Sequence, residues 1–199
     1  MKLLRILISF LVCVLALSLV RNVYAYTVLK RWQNNYMSYW FDGSYSNYGG
    51  QRWIDRARDV VYEWNMAGVN FAFYEISSPN VLKALYMPSC NCTANTVRTW
   101  NSNYLLQAVI QVNTSVPQYD GSQAPTLPSN YYDLRTVLRH EFGHATGLCH
   151  STGTQSPSWL MAYTPLGQVR YVDSDAKNGA MYLYKPGYSG PPPSSSCIN

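Results

Sequence analysis

A chain of 199 residues in which 47% are apolar and only 13% charged has enough to bury for one globular domain and too little charge to stay disordered. Its formal charge of +5 comes from 15 Lys and Arg against 10 Asp and Glu, and three of those cations, Lys2, Arg5 and Arg21, stand within the first 25 residues. Without them the balance is 12 to 10, and no basic cluster is left to neutralise phosphates, which excludes nucleic acid as a partner.

Those 25 residues combine a basic start, an apolar run over 6–20 and a small-residue end at Val23-Tyr24-Ala25, the layout of a secretory signal peptide cut after Ala25. An apolar run of about 15 residues falls short of the roughly 20 that span a bilayer, so the expectation is a secreted, extracellular monomer without stable membrane association. One folded domain is expected over residues 26–186. A Pro/Ser-rich, loosely ordered tail is expected over 187–199. Cys13 leaves with the leader, and the even number that remains, Cys90, Cys92, Cys149 and Cys197, points to disulfides in an exported chain. Of the three pairings, Cys90 with Cys92 closes the tightest ring and Cys197 sits in the tail, which favours Cys149 with Cys90 or Cys92. Asn91 and Asn113 stand in Asn-x-Ser/Thr sequons.

In chain order, aromatics among polar residues predict a strand over 31–41. Ile54, Ala57, Val61 and Trp64, at steps of 3, 4 and 3, predict an amphipathic helix that Gly68 stops. Strands are expected over 69–76, 81–86 and, most strongly, 105–112. Three prolines and a glycine make 117–130 irregular. Asp133 then caps a helix from Leu134 to about Thr146, and Gly147 ends it.

That helix carries His140-Glu141-Phe142-Gly143-His144-Ala145-Thr146-Gly147-Leu148-Cys149-His150, with every histidine of the chain. Residues four apart share a helix face, so His140 and His144 can address one ion, while Gly147 lets the chain turn and bring His150 from another side. Three nitrogen ligands suit tetrahedral zinc and leave one position for a reacting water, the mark of a catalytic rather than a closed site. Glu141, rotated about 100° from His140 around the helix, falls beside that water as a general base rather than on the metal.

The motif resembles that of the metzincin zinc peptidases, His-Glu-x-x-His-x-x-Gly-x-x-His followed by a Met-turn, and residues 138–151 are most similar to matrixins. The resemblance implies that Met161 is the Met-turn methionine and that the domain over 26–186 is a zinc metallopeptidase catalytic domain. The implied fold is α+β: a twisted mixed sheet with two helices, the zinc-site helix, a Met-turn and a C-terminal helix over 175–184. It implies hydrolysis of peptide bonds in protein or peptide substrates, which lie along the sheet's edge strand while zinc-activated water attacks and Glu141 moves the proton.

Several positions depart from the matrixin pattern. Matrixins usually have two adjacent aspartates opening the last helix, whereas Asp175 is followed by Ala176. No histidine remains for a second zinc, so one catalytic ion is expected. Asp120-Gly121 and Asp173 to Asp175 offer oxygens to calcium without forming a recognisable loop. Tyr163 stands two residues after Met161, where astacin-like and serralysin-like metzincins carry a tyrosine that reaches the zinc, and is the candidate second catalytic residue. The competing reading is a secreted glycan- or surface-binding module with a structural zinc, suggested by the Tyr, Trp and Asn content of 32–53. Glu141 between two ligands argues against it.

Overall fold

The computed structural model describes residues 26–121, 127–151, 159–162, 166–190, 192–193 and 197. The expected leader over 1–25 lies outside them, as does Tyr163. No helix among the described residues is long and apolar enough to cross a membrane.

The architecture is an α+β domain with a mixed, mostly parallel sheet. Strands β2 (Arg31–Trp32), β3 (Tyr36–Phe41), β4 (Ala72–Glu75), β5 (Val81–Leu85) and β7 (Tyr104–Asn113) run parallel in the order β2-β7-β5-β3-β4, and β6 (Ala94–Trp100) joins β7 antiparallel. Parallel neighbours need crossovers, and α1 (Gly43–Asn65) supplies the one between β3 and β4. Leu82 and Ala84 of β5 and Ala108, Ile110 and Val112 of β7 alternate into the core, as a half-buried strand requires. β6 was absent from the sequence expectation. Its residues Thr96, Arg98 and Thr99 are polar, and only the pairing with β7 reveals its period.

The first helix starts earlier than the apolar spacing predicts, because Asp42 caps it by accepting from the Ser44 N–H at 2.9 Å. Gly50, at φ 58, kinks it before the amphipathic stretch. From Trp53 onward the buried stripe is Trp53, Ala57, Val60, Val61 and Trp64, so Trp53 takes the deeper place expected of the half-buried Ile54.

Helix α2 (Leu134–Thr146) is buried along its whole length, including Arg135, Arg139, His140, Glu141 and His144. Asp133 caps it as expected, accepting from Thr136 N at 2.8 Å and Thr136 Oγ1 at 2.7 Å. Gly147 closes it at φ 107, where an added Cβ would stand 2.1 Å from the Lys30 carbonyl oxygen. A buried helix end must find partners for its last carbonyls, and side chains from distant elements supply them. Trp32 Nε1 donates to Ala145 O at 2.8 Å, and Tyr184 Oη donates to Thr146 O at 2.6 Å. Helix α3 (Ser174–Tyr184), which carries Tyr184, packs on the short pair of β1 (Thr27–Val28) and β10 (Leu148–Cys149).

The cysteines pair differently from the favoured expectation. Cys149 is joined to Cys197, with Cα atoms 5.9 Å apart, and Cys90 to Cys92. The reason is positional: β1 pairs with β10, Thr27 opposite Cys149, and the Cys197 N–H reaches Val28 O at 3.3 Å, so the chain end lies against the strand pair that holds Cys149. The sequons also separate. Asn113 is fully buried, with Nδ2 donating to the carbonyls of Met87 and Cys92, so Asn91 is the exposed one of the two.

Arg139, without solvent exposure, pairs bidentately with Glu63 of α1 at 2.6 Å through both Nε and Nη2, and donates to Arg170 O at 2.9 Å. Arg139→Met strands Glu63 and the Arg170 carbonyl. It is expected to cost about 2–4 kcal/mol in urea unfolding, at the lower end for a broken buried pair because Glu63 is partly exposed. Arg58→Met, which breaks the exposed Arg58–Glu75 pair, is expected to cost under about 1 kcal/mol. Equal losses would remove Arg139 from the role of tie between α1 and α2.

Candidate metal centre

His140 and His144 stand one turn apart on α2, and the turn after Gly147 carries His150 back over them. Each helical imidazole is oriented by a main-chain carbonyl: His140 Nδ1 lies 2.7 Å from Leu160 O, and His144 Nδ1 lies 2.9 Å from Leu148 O. A carbonyl only accepts, so both Nδ1 atoms carry the proton and both Nε2 atoms present lone pairs. Those lone pairs converge with the third histidine. His140 Nε2 is 3.1 Å and His144 Nε2 3.3 Å from His150 Nε2.

The spacing is a test of fit. Ligand nitrogens about 2.0–2.1 Å from a tetrahedral zinc lie about 3.3–3.4 Å from one another, close to the separations found. With both helical Nε2 lone pairs turned toward His150 Nε2, the donor set and the spacing both fit one divalent ion. Among the described residues this trio is the only group of three or more His, Cys, Asp or Glu side chains so arranged.

Met161 packs against α2 at Gly143, the position between His140 and His144. It is buried, and a Cβ on Gly143 would come within 2.4 Å of its Sδ, so any larger residue there would force the methionine side chain to shift. Two aspartates hold the segments around it. Asp173 caps α3 through Ala176 N at 2.8 Å and accepts from Leu160 N at 2.6 Å, while Asp175 accepts from Ser151 Oγ at 3.1 Å. The pair spaced by one residue therefore anchors both Leu160, whose carbonyl orients His140, and Ser151, which follows His150. The adjacent second aspartate expected from the resemblance is not needed for those two bonds.

The histidines and Glu141 line a cavity of about 430 Å³, walled by β6, by Val137 and Tyr132, and by the Cys90–Cys92 turn. Glu141 is buried, and burial pushes its carboxyl up to about 7 against the opposing pull of Thr96 and Arg98. Thr96 Oγ1 lies 2.5 Å from Glu141 Oε2, and Arg98 Nη1 donates to His144 O at 3.2 Å and Leu148 O at 2.9 Å. Both come from β6 and escaped the sequence reading. The β-branched run Thr96-Val97 and Thr99, followed by the turn-forming Asn101-Ser102-Asn103, was the available signal for a hairpin into β7. Asp120, offered to calcium by the sequence, is engaged by Arg52 at 3.2 Å. Trp159 is half-buried near the Met161 turn, and its carbonyl accepts from Arg170 Nη1 at 2.9 Å.

Burial lowers the His140 pKa to about 4, places His144 well below its usual value and lowers His150 as well. Without metal, the unfolded chain takes up protons near pH 6.5 while the folded imidazoles resist until about pH 4 for His140. Stability present above pH 6.5 is thus lost as the pH falls through that window. Glu141 has the opposite sign, because its raised carboxyl binds a proton in the folded state first and gains stability from about pH 7 downward. It offsets part of the histidine contribution. The metal-free protein is therefore expected to melt at lower temperature at pH 5 than at pH 7, and a higher melting temperature at pH 5 would contradict neutral burial of the trio.

A family model described as matrixin matches residues 31–185. Human matrix metalloproteinase-20 is 39% identical over 71 residues, which are 34% of this chain and 14% of that protein. The chain thus aligns with well under a fifth of that relative's length.

Proposed function

Because this chain belongs to the matrixin family of metallopeptidases, we propose that it is an exported zinc endopeptidase in which His140, His144 and His150 hold one ion and Glu141 is the general base. The observation that carries the reading is the convergence of three Nε2 atoms at the wall of a cavity that Glu141 also lines. Bound there, zinc supplies Lewis acidity toward water and a peptide carbonyl.

The chain's own residues do the rest. Leu160 O and Leu148 O fix the tautomers of His140 and His144, so the ligands are ready without giving up a proton. Glu141 takes the proton of the attacking water and delivers it to the leaving amine. Among the described residues β6 pairs only with β7, so its outer edge is free to add an extended peptide as a further strand. Tyr163, two residues past Met161, is assigned the role of oxyanion donor.

The mature protein is expected to bind one equivalent of zinc. 1,10-Phenanthroline should abolish digestion of a peptide library, and added zinc should restore it. Activity that survives complete metal removal rules the assignment out.

Glu141→Ala is expected to keep zinc and fold while lowering kcat at least about 100-fold, the low end for a positioned base. Tyr163→Phe is expected to lower kcat by about 100-fold, more than it raises KM, as for a lost oxyanion donor. An unchanged kcat in either zinc-replete variant returns that residue to a packing role.

A further inference from the structure

We propose that Thr96 is a positioning residue for Glu141, holding carboxylate oxygen Oε2 so that Oε1 is the oxygen that exchanges protons with the reacting water. The inference rests on the reading of Glu141 as general base and adds to it a residue outside the zinc motif.

Thr96 points inward from β6, the antiparallel edge of the sheet, and is buried. Its hydroxyl lies 2.5 Å from Glu141 Oε2 and 3.1 Å from the Glu141 main-chain oxygen. A hydroxyl has one hydrogen, and the shorter contact to the charged acceptor takes it. While Oε2 accepts from the Thr96 O–H, a proton on Oε2 would cost that bond or its rotation to the longer contact with Glu141 O. The proton from water therefore goes to Oε1, which has no protein hydrogen-bond partner among the described residues. The step balances simply: one O–H bond of water breaks, one O–H bond forms at Oε1, and the electron pair left on the water oxygen attacks the carbonyl carbon.

The position of Thr96 in the chain gives this contact a second consequence. Thr96 faces Ile110 of β7 in the strand register, and the other edge of the same strand is the one left for a peptide. A peptide docked there and the carboxylate held by Thr96 are then referenced to one stretch of backbone, so docking sets the distance from scissile bond to base. A rigid pairing of that kind favours turnover more than binding.

The test is a kinetic series on the zinc-loaded full chain with Thr96→Val, Thr96→Ser and Glu141→Ala, and the Thr96→Val change repeated in Glu141→Ala. Thr96→Val keeps the shape and removes the donor. It is expected to lower kcat about tenfold or more with KM within about twofold, zinc content unchanged and melting temperature near that of the parent. Thr96→Ser is expected to restore most of the rate, and Thr96→Val is expected to add nothing in the Glu141→Ala background, because the two act as a unit. Parental kcat in Thr96→Val alongside a disabled Glu141→Ala overturns the proposal and leaves the base in place. Near-parental turnover in Glu141→Ala overturns the reading beneath it instead. Should valine unfold the edge strand, Thr96→Ala makes the same comparison. A loss of rate that persists equally in the Glu141→Ala background marks Thr96 as structural and also overturns the proposal.

Discussion

Thirteen consecutive buried residues in α2 include two arginines, two histidines and a glutamate, and the need to satisfy those groups away from water organises the rest of the molecule. A hydrophobic helix in that place would ask only for volume. This one asks for partners at fixed positions, and they come from every quarter of the chain. Glu63 and Trp64 arrive from α1, with Trp64 Nε1 on Arg139 O at 3.1 Å. Trp32 comes from β2, Tyr184 from α3, and Thr96 and Arg98 from β6. Each of these bonds joins residues more than 30 positions apart, so the helix that carries the zinc motif is also the element around which the others take their places.

The same constraint explains the chemistry of the trio. Burial disfavours charge on imidazole, and the carbonyls of Leu160 and Leu148 satisfy the one proton each helical ring keeps. The inward nitrogens are then left unprotonated and close together, which is poor for the metal-free protein and good for a cation. Burial acts on Glu141 in the opposite sense, toward the neutral acid, and Thr96 and Arg98 oppose it. One environment therefore keeps the histidines neutral and favours the protonated form of the neighbouring carboxyl.

The site was legible in the sequence because its spacing is local. His140, Glu141 and His144 are fixed by helix geometry, and His150 by a turn that Gly147 permits, so no long-range information is required. The caps of α2 were readable for the same reason, since Asp133 and Gly147 act on neighbours in sequence. The partners of the helix were not legible. Thr96 and Arg98 reach residues about 45 to 50 positions away, and nothing in a polar run such as Thr96-Val97-Arg98-Thr99 states which element it will face. The cysteines show the same limit. Their number announced cross-links, but the pairing of Cys149 with Cys197 depends on β1 lying beside β10, a contact between residues more than 120 apart.

That contact also bears on how the third histidine is held. His140 and His144 inherit rigidity from the buried helix, but His150 follows a two-residue strand and has no helix to fix it. Its backbone is held instead from outside. Thr27 Oγ1 donates to His150 O at 2.8 Å, β1 pairs with Leu148 and Cys149, the bridge to Cys197 anchors the residue just before it, and Asp175 holds Ser151 just after it. The described segments nearest the two ends of the chain thus converge on the one histidine of the trio that the helix does not place. A metal site needs all three nitrogens in place at once, so the precision of the centre is set by its least constrained member. In this fold that member is governed by two segments, Thr27–Val28 and Cys197, that stand near opposite ends of the described residues.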